Sequence, residues 1–102
     1  MKNFRTFNLA VEFYRLARTL RLNGNIKNQL LRASSSTALN LAEGWGKPNT
    51  KDQLRFFKIA LGSLRESQAI LILENLQNTQ AWITLDKLGA SLYRLIEKHS
   101  EI

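Results

Sequence analysis

Residues 29–66 constrain this chain more than any other stretch. They read QLLRASSSTALNLAEGWGKPNTKDQLRFFKIALGSLRE, two helix-periodic segments around one short Gly/Pro break. On a wheel of about 100° per residue, Gln29, Arg32, Ser36, Asn40 and Glu43 fall within about 80° of one another. Nearly all the rest of that segment is apolar or small. On the following segment Arg55, Gly62, Ser63 and Glu66 share one side. Ordinary solvent surface covers a wide face of a helix. A narrow polar strip instead marks a buried polar seam, a subunit contact or a site.

The remaining periodicity completes an all-helical chain. A first helix is predicted from about Phe4 to Arg21, with Leu9, Phe13, Leu16 and Leu20 as its core stripe. Phe4, Phe7, Val11 and Tyr14 form a second apolar stripe. That stripe either wraps the bundle end or, as exposed aromatic patches do, meets another subunit, the reading placed first here. Asn23-Gly24-Asn25 reads as a turn, with Gly24 free for positive φ and Asn25 as the next helix cap. The second helix is expected over about Ile26–Glu43, its Ser34-Ser35-Ser36-Thr37 run carried by Leu30, Leu31, Leu39 and Leu41. Pro48 forbids its continuation. Thr50 and Gln53 read as a capping box for a third helix reaching about Leu76. Its core stripe is Leu54, Phe57, Leu61, Leu64 and Leu71, with Lys51, Lys58 and Arg65 as a basic stripe beside it. The last helix is expected to start near Thr84, with Trp82 in the connection before it, covering the bundle end. Short connections between four helices give an antiparallel up-down-up-down four-helix bundle, one domain over residues 1–102.

Charge is divided unevenly. The net charge is +7, and all of it lies in residues 1–51; residues 52–102 are neutral. That asymmetry points to a polyanion, RNA or DNA, on the first half. Arg15, Arg18, Arg21, Lys27, Lys47 and Lys51 are the candidate nucleic-acid contacts. With no DNA- or RNA-reading motif present, contact would run through the phosphate backbone with little sequence preference. Trp45 beside Lys47 and Lys51 offers a base-stacking position, although a loop Trp more often packs on its own fold.

Several function classes are excluded by what is missing. The chain has no cysteine, which removes disulfides, thiolate zinc sites and cysteine nucleophiles. The single histidine, His99, sits near the C-terminus and reads as frayed and exposed, so Ser36 and Ser63 lack a base. Glu43 and Glu66 alone bind metal poorly, and the Glu-x-x-His motifs of di-metal bundles are absent. The expectation is a non-enzyme with no cofactor and no metal. No apolar run approaches the ~20 residues of a membrane span, and no signal peptide is visible, so a cytoplasmic location is expected. For Arg32, Ser36, Asn40, Glu43, Arg55, Ser63 and Glu66 the favoured reading is a polar network, within the bundle or at an interface. A ligand site ranks below it.

QLLRASSSTALNLAEGWG followed by RFFKIALGSLRE resembles the 23S rRNA intervening-sequence protein family. The first part of that pattern is carried by Gln29, Arg32, Ala33, Ser36, Asn40, Ala42, Glu43 and Gly44. Arg55, Phe56, Ile59, Ala60, Gly62, Ser63, Leu64 and Glu66 carry the second. The resemblance implies a small four-helix bundle that forms homo-oligomers, five copies at a time. It implies no particular biochemical activity. More distantly the chain is similar to the accessory bundle proteins of diversity-generating retroelements, which implies a reverse transcriptase as protein partner alongside nucleic acid. Together these lead to a non-enzymatic assembly or adaptor protein touching nucleic acid through its basic half. The alternative is a protein-interaction scaffold with no nucleic-acid role.

Overall fold

The computed structural model describes residues 3–100. Four helices account for most of them: α1 (Arg5–Thr19), α2 (Gly24–Trp45), α3 (Thr50–Leu73) and α4 (Gln80–Ser100). Direction follows from reach. The longest connection, residues 74–79, spans at most ~20 Å, whereas a helix of α3's length runs ~36 Å. Each helix must therefore turn back along its predecessor. Every helix packs on two neighbours, with α1 closing the ring against α4, and the α2–α3 contact is the most extensive. This is the antiparallel four-helix bundle the periodicity predicts.

The core follows the expected stripes, except that Leu54 of α3 stays half-exposed beside it. Phe13, Leu30, Leu41, Phe57, Leu64, Leu71, Leu85, Leu88 and Leu92 are fully buried. Each side chain of this kind contributes about 1.5–3 kcal/mol by leaving water. Ala10, Ala17, Ala33, Ala60 and Ala81 are buried between them and let the backbones approach. The Ser/Thr run in α2 is accommodated by folding hydroxyls back on the preceding turn. Ser34 donates to the Leu31 carbonyl, Ser35 to that of Arg32 and Thr37 to that of Ala33. Thr6 and Ser91 bridge α1 to α4 with hydroxyl oxygens 2.7 Å apart.

Helix ends depart from the sequence expectation, each for a local reason. The α3 cap is Asn49, one residue before the predicted Thr50. Its Oδ1 accepts from the Asp52 N–H at 2.8 Å, and its amide donates to the Asp52 carboxylate at 3.0 Å. Asn is the stronger cap of the two, and the box closes reciprocally with Asp52 instead of Gln53. Helix α4 starts at Gln80 instead of Thr84. Thr79 accepts from the Trp82 N–H and donates to the Leu76 carbonyl, and the added turn buries Ala81. Thr84 consequently lies in the core, and Trp82 lies within the helix, half-buried, instead of in the connection. Gly24 and Asn25 begin α2 after Asn23, which makes no side-chain cap bond. Positive φ falls not at Gly24 but at Asn75, φ 58°. There the Leu76 N–H reaches the Leu71 carbonyl and the Asn75 N–H that of Ile72, a Schellman stop with Leu76 packed on the core.

One end of the bundle is aromatic. Phe4, the N-cap of α1, stacks on Trp45 at the end of α2 (centroids 4.3 Å) and lies 6.1 Å from Phe57 of α3. His99, near the end of α4, meets Phe57 edge-on at 5.2 Å and bonds to the Leu95 carbonyl through Nδ1. The sequence reading of His99 as frayed is thus corrected: an aromatic neighbour and a carbonyl hold it half-buried. Phe4 is likewise core, and Phe7 packs against that core, so the upper part of the second α1 stripe wraps the bundle end. Val11 and Tyr14 remain half-exposed.

Gly44 sets the closeness of α2 and α3. A Cβ there would stand 2.6 Å from Cε1 of Phe57 and 3.2 Å from the Gln53 carbonyl oxygen. Helix propensity alone favours alanine over glycine by about 1 kcal/mol. Overpacking opposes it and wins, because the blocking atoms are a buried ring and backbone. Gly44→Ala should destabilise the protein by about 1–3 kcal/mol in urea unfolding. A stabilised variant would show that the two helices do not depend on this contact.

Candidate interaction surface

The polar strips of α2 and α3 lie side by side on the outside of the bundle. At their centre the Ser36 and Ser63 hydroxyls are 2.8 Å apart, and the Asn40 amide donates to the Ser36 carbonyl and hydroxyl. This half-buried cluster ties the two helices together. The four charged members of the strip are not part of it. Arg32, Glu43, Arg55 and Glu66 are all exposed and make no ion pair with one another. Glu43 instead meets Lys47 one turn on, at 3.7 Å, the one ion pair among the described residues. The physical reason is desolvation: an unburied charge keeps its water, whereas burying a pair costs more than its attraction returns unless every partner is in place.

Apolar side chains share this face. Leu39, one of the leucines flanking the Ser/Thr run, is 65% exposed, and Ile59 is 46% exposed. With them the outward stripes read Arg32, Ser36, Leu39, Glu43 on α2 and Arg55, Ile59, Gly62, Glu66, Ala69, Leu73 on α3. The steps alternate four and three as in a helix-packing seam. Gly62 sits mid-helix with no positive φ, and a Cβ there would have nothing within 4 Å. A mid-helix glycine costs about 1 kcal/mol relative to alanine, and no contact within the chain offsets it. The signal for the two apolar residues was present on the wheel, where Ile59 falls inside the α3 strip and Leu39 lies about 20° beyond the edge of the α2 strip.

The six candidate nucleic-acid contacts do not form one patch. Arg15, Arg18 and Arg21 lie exposed around the C-terminal end of α1, away from the aromatic end. Arg18 stands over the Tyr14 ring at 5.9 Å. Lys27 is nearby but committed: its ammonium donates to the Arg18 and Leu20 carbonyls and caps α1. Lys47 and Lys51 are near the opposite end, since Lys27 and Lys47 bracket most of a helix ~30 Å long. Lys47 is half-buried against Glu43 and 5.1 Å from the Phe56 ring centroid, with Arg55 4.9 Å from that same ring. Lys51 is exposed. Trp45 packs one face on Phe4 yet stays 46% exposed, so both readings of it have a physical basis.

Among the described residues the candidate catalytic side chains are not brought together. Ser36 and Ser63 have each other and Asn40 as neighbours, and His99 lies at the aromatic end against Phe57. Among the described residues no three of His, Cys, Asp and Glu are grouped to hold a metal. No helix among them is long and apolar enough to cross a membrane.

Fold and surface together define a small helical-bundle protein that presents chemistry on its outer faces. The family model of the 23S rRNA-intervening sequence protein matches residues 4–99, and the chain belongs to that family. Searches of curated proteins and of solved structures found no match. The matched span includes the whole of the α2/α3 face.

Because the four strip charges are exposed, they contribute little to folding. In samples dilute enough to hold single copies, Arg32→Ala and Glu66→Ala should each change unfolding stability by less than about 0.5 kcal/mol. A loss of several kcal/mol in either variant would place these side chains in a buried network after all.

Proposed function

We propose that this protein is a non-enzymatic homo-oligomeric assembly or adaptor protein that contacts nucleic acid through its basic half. The observation that carries the reading is the arginine group at the end of α1. Arg15, Arg18 and Arg21 are exposed, and none is paired with an acid. They belong to the half of the chain that holds the whole net charge of +7. The family description, which concerns a sequence intervening in 23S rRNA, favours RNA as the polyanion. Lys51 adds a second contact at the far end. Lys27 and Lys47 serve the fold instead, as a helix cap and a loop tether. Self-association is supported by the exposed Leu39, Ile59, Leu73 and Tyr93. Repeated copies would multiply weak phosphate contacts through effective concentration.

A protein scaffold without a nucleic-acid role is the second reading. It is favoured by the α2/α3 face, where Glu43 and Glu66 are interspersed among Arg32, Arg55 and Lys47 beside exposed apolar groups, a mixed pattern that suits a protein better than a polyanion. A reverse transcriptase, implied by the resemblance to retroelement accessory proteins, would be one such protein partner.

Binding to single- and double-stranded RNA and DNA across a salt series separates the readings. Affinity should fall linearly on a log–log plot against salt, with little preference for sequence. Changing Arg15, Arg18 and Arg21 together to Gln should lower the slope by about two to three. Absence of binding near physiological salt, or binding untouched by the triple change, would leave the scaffold reading standing.

A further inference from the structure

Two faces of the bundle carry features that the single chain does not use. On the α2/α3 face Gly62 leaves a notch, with nothing within 4 Å of where its Cβ would be. On α4 a seam of Ile83, Asp86, Ala90, Tyr93 and Glu97 steps alternately by three and four, and all five are exposed. Tyr93 is 57% exposed and makes no hydrogen bond or ring contact among the described residues. The two faces correspond in height along the bundle. A Cβ on Gly89 would lie 3.8 Å from side-chain atoms of both Leu64 and Gln68, which sets α4 against α3 midway between those residues. At ~1.5 Å per residue, Tyr93 then lies ~6 Å nearer the aromatic end, at the height of Gly62. Ile83 lies ~9 Å the other way, within ~2 Å of the height of Leu73. The Ser36–Ser63 contact sets the height of α2 in the same way. Asp86 falls within ~3 Å of the height of Arg32, and Glu97 within ~5 Å of that of Arg55. Lys87 and Lys98, which flank the seam, fall within ~3 Å of the heights of Glu66 and Glu43.

We propose that the α4 seam of one copy docks on the α2/α3 face of the next, in a head-to-tail contact that closes into a ring. This rests on the homo-oligomeric reading above and names the two surfaces that meet. Copies standing side by side around one axis keep a common height, so a residue meets only what lies level with it on its neighbour. Tyr93 then enters the notch at Gly62, and Ile83 covers Leu73, which is 74% exposed in the single chain. Each acid of either face finds a cation near its own height on the other: Asp86 with Arg32, Glu97 with Arg55, Glu66 with Lys87, Glu43 with Lys98. A mid-helix glycine and an exposed tyrosine, each without a role inside the chain, thereby account for one another. Because the two faces differ, every copy has both filled whatever the number in the ring, including the five that the family resemblance implies.

The chain has no cysteine, so covalent capture can report which faces meet. Leu73→Cys and Ile83→Cys are made as separate variants, mixed, unfolded and refolded together, and treated with a short bis-maleimide linker. The mixture should yield covalent pairs, and each variant alone at least about tenfold fewer, because a head-to-tail contact never brings a residue against its own copy. Notch and knob are tested by light scattering over a dilution series, with helicity followed by circular dichroism. Gly62→Gln should raise the urea midpoint of single copies, since glutamine favours a helix over glycine, yet weaken association at least about tenfold. Tyr93→Ser should weaken association by a similar factor and leave helicity unchanged. A single-copy parent protein overturns both this inference and the homo-oligomeric reading. A parent assembly whose mixed variants give no covalent pairs, or in which either variant alone links as well as the mixture, overturns this inference alone. So does an assembly unmoved by Gly62→Gln and Tyr93→Ser.

Discussion

The close approach of α2 and α3 under Phe57 is the contact on which the rest of the molecule depends. Gly44 has no side chain, so the Phe57 ring can lie against the α2 backbone. That contact fixes the spacing at the aromatic end, where Phe4, Trp45 and His99 gather around the same ring. Ser36 and Ser63 then hold the two helices together two turns further down. With the pair locked at two levels, its register is set, and α1 and α4 close the bundle over Leu30, Leu64 and Leu88. A small residue at one position thereby decides which side chains of two helices stand next to each other outside.

What stands outside is where function is to be sought. The interior is filled with leucine and phenylalanine; of its buried hydroxyls, Ser34 and Thr37 turn back on their own helix and Thr6 and Ser91 bridge α1 to α4. The surface has two unlike regions. One is the arginine group at the end of α1, all of one sign. The other is the α2/α3 face, which carries both signs and is mixed with apolar groups. The first suits a phosphate backbone, which rewards positive charge without regard to its pattern. The second suits a protein, which rewards pattern. Four of the family's charged motif positions, Arg32, Glu43, Arg55 and Glu66, lie on the second region, and Gly62 and Ser63 lie between them. Of the residues that carry the resemblance, Arg32, Glu43, Arg55, Ile59, Gly62 and Glu66 are exposed, whereas Ala33, Gly44, Ala60 and Leu64 are buried.

The sequence by itself determined the number of helices, their core stripes and their antiparallel order. Leu and Phe recurring at three and four residues must be buried whichever neighbour buries them, and connections this short permit only a return path. The strip residues were also legible as a group, because a wheel gives each residue's azimuth about its own helix. Only the tertiary structure decided which azimuth faces a neighbour. The same strip could have been a buried network or an outer face, and the locking of α2 onto α3 through Gly44 turned it outward. Helix ends were decided there too. Asn49 displaced Thr50 and Thr79 displaced Thr84, since a cap is chosen by which backbone N–H groups are left free once the chain has turned. Lys27 and Lys47 read as free cations because sequence gives charge without neighbours. The folded chain supplies a helix end to one, and to the other a carboxylate and a ring.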